Sequence, residues 1–169
     1  MGLLSWLGLK EGDAYPNLDA LMAELRRALP EDESVVIRYI AIVIVLLGQV
    51  AYADGRFTEG EEATLRRLLE HVDRFAPSSI DAVCASLRGN LTELREEERA
   101  LCYRELKSLC DSRERVEVMR LLVRLAAADG AVSPQEASAI RAIGAELAVP
   151  MSEIEALEEE ARAEETPAS

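Results

Sequence analysis

This chain is poor in the residues that most often mark catalytic, redox or nucleic-acid-binding proteins. Its 169 residues include one histidine, three cysteines and only 4% aromatic residues. Lysine is restricted to Lys10 and Lys107, and 32 acidic residues against 19 basic ones give a formal net charge of −13. Nucleic-acid backbones are bound mainly by clustered Lys and Arg, so we expect no DNA or RNA partner. The acidic balance favours cationic partner surfaces or divalent metal ions.

Cysteine and histidine offer little material for an active site. If Cys102 and Cys110 share one helix, they lie roughly 12 Å apart along its axis, which is too far for a disulfide. We expect all three cysteines, including Cys84, to be small apolar core residues in a reducing compartment. The single histidine, His71, is expected near a helix end, where the dipole favours it. The carboxylate di-iron site of helical bundles needs two Glu-x-x-His pairs, which this chain lacks, so we expect no enzyme.

Targeting and membrane-spanning signals are also missing. The first residues have no basic group before a short apolar run, and Trp6 occupies the Ser or Thr position of the myristoylation pattern. Residues 39–53 are the longest apolar run, but a bilayer needs about 20 residues and this run is preceded by Arg38. We expect a buried core helix there and a cytoplasmic protein. Peripheral membrane association stays open.

The rest of the chain divides into helices separated by Pro, Gly and polar residues. With 49% hydrophobic residues, the sequence predicts an all-α compact bundle of about seven to eight helices. We expect an N-terminal arm at residues 1–16, one helical domain at 17–162 and a flexible tail at 163–169. The predicted helices cover 18–29, 34–53, 58 to about 75, 77–88, 94–109, 112–128, 133 onward and 152 onward. Predicted capping boxes pair Thr58 with Glu61, Ser133 with Glu136, and Ser152 with Glu155.

A twenty-residue segment occurs twice. Residues 46–65 read LLGQVAYADGRFTEGEEATL and residues 121–140 read LLVRLAAADGAVSPQEASAI, with seven identical positions. What repeats is an apolar helix end, an Asp-Gly corner and the start of a second helix. The sequence therefore predicts an internally duplicated helix-turn-helix hairpin.

The carboxylates of the two corners are the candidate metal ligands: Asp54, Glu61, Asp129 and Glu136. A purely structural interpretation is available. Gly55 and Gly130 are typical residues for helix ends, the two glutamates can cap helices, and the two aspartates can accept hydrogen bonds from backbone amides in the turns. The other interpretation packs the two hairpins back to back, so that a cation offsets the repulsion among four carboxylates. Oxygen-only ligands suit Ca²⁺ or Mg²⁺. An EF-hand is excluded, because the third and twelfth loop positions counted from Asp54 are Arg56 and Leu65.

The segments YADGRFTEGEE and AADGAVSPQEA resemble the paired signatures of the TerB-like family, bacterial all-helical domains linked to tellurite resistance. The resemblance covers roughly residues 34–160. It implies a bundle of about seven helices, no enzymatic activity, and an acidic face for metal binding or partner contact. Carried over by position, the family signature falls on the same four carboxylates. Glu59 and Glu62 enlarge the acidic face at the first corner, whereas Pro134 and Ala137 stand at the equivalent positions of the second.

The function that this resemblance implies is a non-enzymatic stress-response module with an acidic corner that binds a divalent metal or a partner. The alternative is a helical protein-interaction scaffold without a metal site, associated with a co-chaperone or a membrane complex. A protein partner is expected in either case. The two hypotheses differ in whether the four carboxylates converge.

Overall fold

The computed structural model describes residues 16–71, 76–88 and 94–165. Within these ranges the chain forms eight α-helices and no β-strand, which confirms the predicted all-α class. The helices are α1 (Pro16–Ala28), α2 (Ser34–Ala51), α3 (Glu59–Glu70), α4 (Pro77–Arg88), α5 (Glu96–Leu109), α6 (Ser112–Ala126), α7 (Pro134–Glu146) and α8 (Met151–Glu165). A 3₁₀ turn, Ala127–Asp129, follows α6.

Helix α2 lies at the centre of the bundle and packs against α1, α4, α5, α6 and α7. By length and composition it could cross a membrane, but the core helix of a soluble protein passes the same test, and 72% of its residues are buried. A helix that is apolar on every side is stable only when it is covered on every side. The five surrounding helices provide that cover, so the expectation of a buried core helix is confirmed.

The one charged residue of α2 is buried with a partner. Arg38 is 6% exposed and forms an ion pair with Glu105 of α5. Burial lowers the pKa of the Arg38 guanidinium from its ordinary value. A buried charge is unfavourable without a partner, and Glu105 provides one for Arg38. The ion pair therefore links the central helix to α5.

A second buried carboxylate, Glu98, connects two helix starts that are far apart in sequence. Its Oε1 accepts hydrogen bonds from the backbone amides of Asn17 at 3.1 Å and Leu18 at 3.2 Å, and its Oε2 accepts one from the Arg95 amide at 2.9 Å. The first amides of a helix lack partners within the helix. Glu98 therefore supplies acceptors for α1 and for the start of α5 together.

Most predicted helix ends agree with the structure to within two residues, but the predicted cap of α8 does not. This helix begins at Met151, and the amides of Glu153 and Ile154 bond to the carbonyl of Pro150 at 3.0 and 3.3 Å. Ser152 therefore lies inside the first turn instead of preceding it. The predicted capping box of Ser152 and Glu155 is wrong, because an N-cap residue must lie outside the helix.

Two further boundaries differ from the prediction. Helix α3 ends at Glu70 with His71 as its C-cap, whereas the predicted end near residue 75 lies outside the described residues. Helix α8 continues to Glu165, so residues 163–165 of the predicted tail are helical. The division into arm, domain and tail and the internal duplication stay predictions.

Candidate functional site

The first corner joins α2 to α3 through a glycine with a backbone conformation that other residues rarely adopt. Gly55 has a φ of +91°, and its amide donates to the carbonyl of Tyr52 at 3.0 Å. Asp54 is exposed, and its Oδ1 accepts a hydrogen bond from the Arg56 amide at 3.3 Å. The aspartate thus supports the turn through a single long hydrogen bond while its carboxylate faces solvent.

The capping box that begins α3 follows directly. The hydroxyl oxygen of Thr58 accepts from the Glu61 amide at 3.1 Å, and Glu61 Oε2 accepts from the Thr58 amide at 2.6 Å. Glu61 is only 3% exposed. The predicted box is confirmed, and the buried carboxylate is held at the helix start by these bonds.

The second corner has the same local chemistry. Gly130 has a φ of +104°, and its amide donates to the Ala127 carbonyl at 3.1 Å. Helix α7 then begins with Pro134, preceded by the predicted box: the Ser133 hydroxyl oxygen accepts from the Glu136 amide at 3.1 Å, and Glu136 Oε2 accepts from the Ser133 amide at 2.7 Å. Glu136 is buried as well. Both glutamates of the candidate site therefore have a structural role.

The metal site is a separate question from these caps. Among the described side chains there is no group of three or more His, Cys, Asp or Glu residues that could hold a metal ion. The side chain of Asp129 lies outside the described part of the chain. The four-carboxylate site for Ca²⁺ or Mg²⁺ therefore stays a prediction. In both Glu61 and Glu136, Oε2 already accepts a hydrogen bond from a backbone amide at the helix start.

The two extra glutamates at the first corner differ from each other. Glu59 is exposed, whereas Glu62 is half-buried and its Oε1 lies 3.3 Å from Arg66 Nε and 3.4 Å from Arg88 Nη2. Arg66 also contacts Asp81 of α4 at 2.7 Å. Glu62 thus belongs to an ion-pair network that joins α3 to α4. The open negative charge of this corner comes from Asp54 and Glu59.

The positions of the cysteines and the histidine do not favour catalysis, because the thiols are buried and the histidine is exposed. All three thiols are free and buried. Burial raises the pKa of Cys102 to about 12 and that of Cys110 to about 11, so both remain protonated at neutral pH, and the thiol is a poor nucleophile. His71 is exposed at the end of α3, where its Nδ1 lies 2.6 Å from the carbonyl oxygen of Arg67.

Two buried glutamates were not singled out from the sequence. Glu98 caps two helices, as described above, and its long-range partners leave no local sequence signal. Glu158 of α8 is also buried, beside Arg141 and Arg162. A signal for Glu158 existed, because it is four residues after Ile154 and three before Ala161, on the apolar face of its helix.

Comparison with known proteins gives a family match over most of the chain. Residues 40–159 match the family described as tellurite resistance protein TerB. The matched range includes both corners and both capping boxes. No curated protein and no solved structure gives a significant match.

Proposed function

The chain belongs to the TerB family, and from that premise we propose that it is a non-enzymatic, cytoplasmic stress-response module of the tellurite-resistance type. It acts by binding a partner through the acidic surface of its first corner. The family is generally non-enzymatic, which supports binding over catalysis. The proposal agrees with the function that the sequence resemblance implies.

The chemistry of the described side chains supports the non-enzymatic part. Nucleophilic catalysis by cysteine needs an accessible thiol with a lowered pKa, and here burial raises the pKa of Cys84, Cys102 and Cys110 alike. A histidine that acts as a general base must lie within reach of a bound substrate, and His71 is exposed at a helix end. These placements favour a protein that binds.

One observation carries the choice of surface: two exposed carboxylates lie close together at the first corner. We define the acidic corner as residues 53–62, where Asp54 and Glu59 are exposed together with one cation, Arg56. The positions equivalent to Glu59 and Glu62 in the second corner hold Pro134 and Ala137. With a net charge of −13, the whole molecule attracts cationic groups. The expected partner is a protein with a basic surface.

Survival of cells on tellurite tests this proposal. Cells that lack the chain would be complemented with the natural protein, with Asp54→Asn/Glu59→Gln, or with Glu153→Gln/Glu155→Gln. The last variant removes the same charge from exposed positions of α8. We expect the natural protein and the α8 variant to restore survival, and the corner variant to fail although its thermal unfolding is unchanged.

Two results of that experiment would contradict the proposal. If the natural protein does not restore survival, the tellurite-resistance role is wrong. If the corner variant restores survival as well as the natural protein does, the acidic corner is not the functional surface. The helical scaffold without an acidic site would then be the better hypothesis.

A divalent cation is the second candidate for the same corner. The observation in its favour is that Asp54 is exposed and makes one hydrogen bond of 3.3 Å, which leaves carboxylate oxygen accessible to an ion. The donors present are oxygens only, a set suited to Ca²⁺ or Mg²⁺. In this proposal Asp129, Glu61 and Glu136 complete the site predicted from the sequence.

Thermal unfolding separates the cation from the protein partner. The protein would be unfolded with chelator, then with Ca²⁺ or Mg²⁺, and the series repeated on Asp54→Asn/Asp129→Asn. An ion at 100 times its dissociation constant adds about 2.7 kcal/mol, or several degrees for a chain of this size. A rise that disappears in the variant supports the metal site. An unchanged unfolding temperature would remove the cation from the proposal.

A further inference from the structure

A cavity of about 630 Å³ lies beside the second corner, on the side of α8. It is bounded by the turn after α6, the loop that follows Gly130, and helices α7 and α8. Its walls are mostly small apolar side chains, namely Ala127, Ala131, Val132, Ala137 and Ala161. Three charged side chains complete the lining: Glu158, Arg141 and Arg162. The volume falls within the range of about 300–1,000 Å³ that is usual for small-molecule sites.

Glu158 is the unusual member of this lining. Its side chain is 9% exposed, and its Oε2 lies 3.3 Å from Arg141 Nη2 and 3.8 Å from Arg162 Nη2. Its Oε1 is buried and has no hydrogen-bond partner within the described residues. A buried carboxylate oxygen without a donor is unfavourable, because its lost hydration is not replaced. Glu158 lines the cavity, and a ligand with an N–H group that reached Oε1 would supply the missing hydrogen-bond donor.

The two arginines decide which kind of ligand fits. Arg141 and Arg162 have side chains that are 52% and 71% exposed, so their guanidinium groups can meet a ligand from the open side of the cavity. A simple cation would meet the like charge of two guanidinium groups, whereas a simple anion could pair with the arginines but would leave Glu158 Oε1 without a donor. A molecule with both charges avoids both penalties. Carboxylates are the anions whose geometry suits arginine best.

We propose that this cavity binds a small zwitterion of the α-amino acid class. Its ammonium group donates to Glu158 Oε1, its carboxylate accepts from Arg141 and Arg162, and its side chain lies against the alanine-rich wall. This site is separate from the acidic corner and does not depend on the proposed function. It adds a ligand site to a chain whose proposed activity is the binding of a protein.

Chemical-shift titration of the isotope-labelled full chain tests the proposal. The probes are the protein amino acids one by one, followed by two matched controls for L-valine: isobutylamine, which lacks the carboxylate, and isovalerate, which lacks the ammonium group. We expect at least one amino acid with an apolar side chain to give saturable shifts in residues 127–141 and 157–162, with a dissociation constant in the millimolar range or tighter. Both single-charge probes should bind at least about tenfold more weakly.

Variants identify the residues that carry binding. Glu158→Gln and Arg141→Gln should each weaken binding at least about tenfold, whereas Glu159→Gln, an exposed neighbour on the same helix, should bind as the natural protein does. Arg141 is half-exposed, so its variant keeps the test valid even if Glu158→Gln fails to fold. The proposal is overturned if no amino acid gives saturable shifts, if isovalerate binds as tightly as valine, or if the folded variants bind normally.

Discussion

Individual buried carboxylates stabilise helix starts in this chain, and Glu98 is the clearest example. Burial by itself would raise the pKa of this carboxyl, but hydrogen bonds from Arg95, Leu18 and Asn17 outweigh it and hold the pKa below its ordinary value of 4.5. A lowered pKa means that the folded protein binds this proton less readily than the unfolded chain does. Glu98 therefore stabilises the fold above the unfolded pKa, and this contribution disappears as the pH falls through the folded pKa.

The resulting prediction concerns stability in acid. We expect Glu98→Gln to lower the free energy of unfolding at pH 7 by about 2 kcal/mol, because hydrogen bonds to a charged acceptor are lost. The difference between the natural protein and the variant should shrink as the pH is lowered below 4.5, where the natural carboxyl also becomes protonated. Urea unfolding at a series of pH values measures this difference in the free energy of unfolding. Glu97→Gln, an exposed neighbour, is the control, and a difference that stays constant with pH would contradict the prediction.

At the scale of the elements, helix starts and helix contacts are set by different kinds of interaction. The helix starts at the two corners are set by local hydrogen bonds, because Thr58 and Ser133 bond to glutamates three residues further along the chain. The contact between α7 and α8 instead depends on side-chain packing. A Cβ at Gly144 of α7 would meet the end of the Ile154 side chain of α8, whose Cδ1 atom would have to move aside.

This close approach predicts that a small substitution destabilises the protein. We expect Gly144→Ala to cost about 1 kcal/mol, because the displaced Cδ1 of the buried Ile154 crowds its neighbours by more than the substitution gains in helix propensity. Ile154→Val removes the clashing Cδ1 atom and should cost about 1 kcal/mol alone. The double variant should be more stable than Gly144→Ala. Additive losses in a double-mutant cycle measured by chemical unfolding would show that the clash is not the cause.

At the scale of the whole molecule, the excess of negative charge is the dominant electrostatic feature. The 32 acidic residues outnumber the 19 basic residues, which leaves a net charge of −13. Ion pairs such as Arg120–Glu160 and Arg124–Glu164 join α6 to α8, but they do not change this net charge. Self-repulsion of like charge disfavours the compact state. Salt screens repulsion between exposed groups over distances beyond about 10 Å.

We therefore expect the melting temperature to rise as NaCl is increased from about 20 mM to about 500 mM. A variant with Glu153, Glu155 and Glu159 each changed to Gln lowers the net charge from −13 to −10, since three carboxylates are removed. Its melting temperature should depend less steeply on salt. Scanning calorimetry measures both slopes, and a melting temperature that falls with salt would mean that the ion pairs outweigh the repulsion.

The sequence by itself determined what depends on neighbours within a few residues of the chain. The turn at Gly55 and the capping boxes of Glu61 and Glu136 were predicted correctly, because each rests on backbone conformation or on a hydrogen bond across three residues. The apolar run of α2 likewise predicted a core helix, since burial follows from hydrophobicity on every face. The cap of α8 was the exception: the carbonyl oxygen of Pro150 accepts hydrogen bonds from the Glu153 and Ile154 amides, so the helix begins before Ser152.

Only the tertiary structure decided which charged residues are buried together. Glu98 meets Asn17 and Leu18, which lie about 80 residues earlier, and no local pattern encodes that contact. The position of Glu158 on the apolar face of α8 indicates burial, but only the packing of α7 against α8 places it beside Arg141. The physical reason is common to both: desolvation and charge pairing depend on three-dimensional neighbours, whereas helix ends depend on the chain nearby.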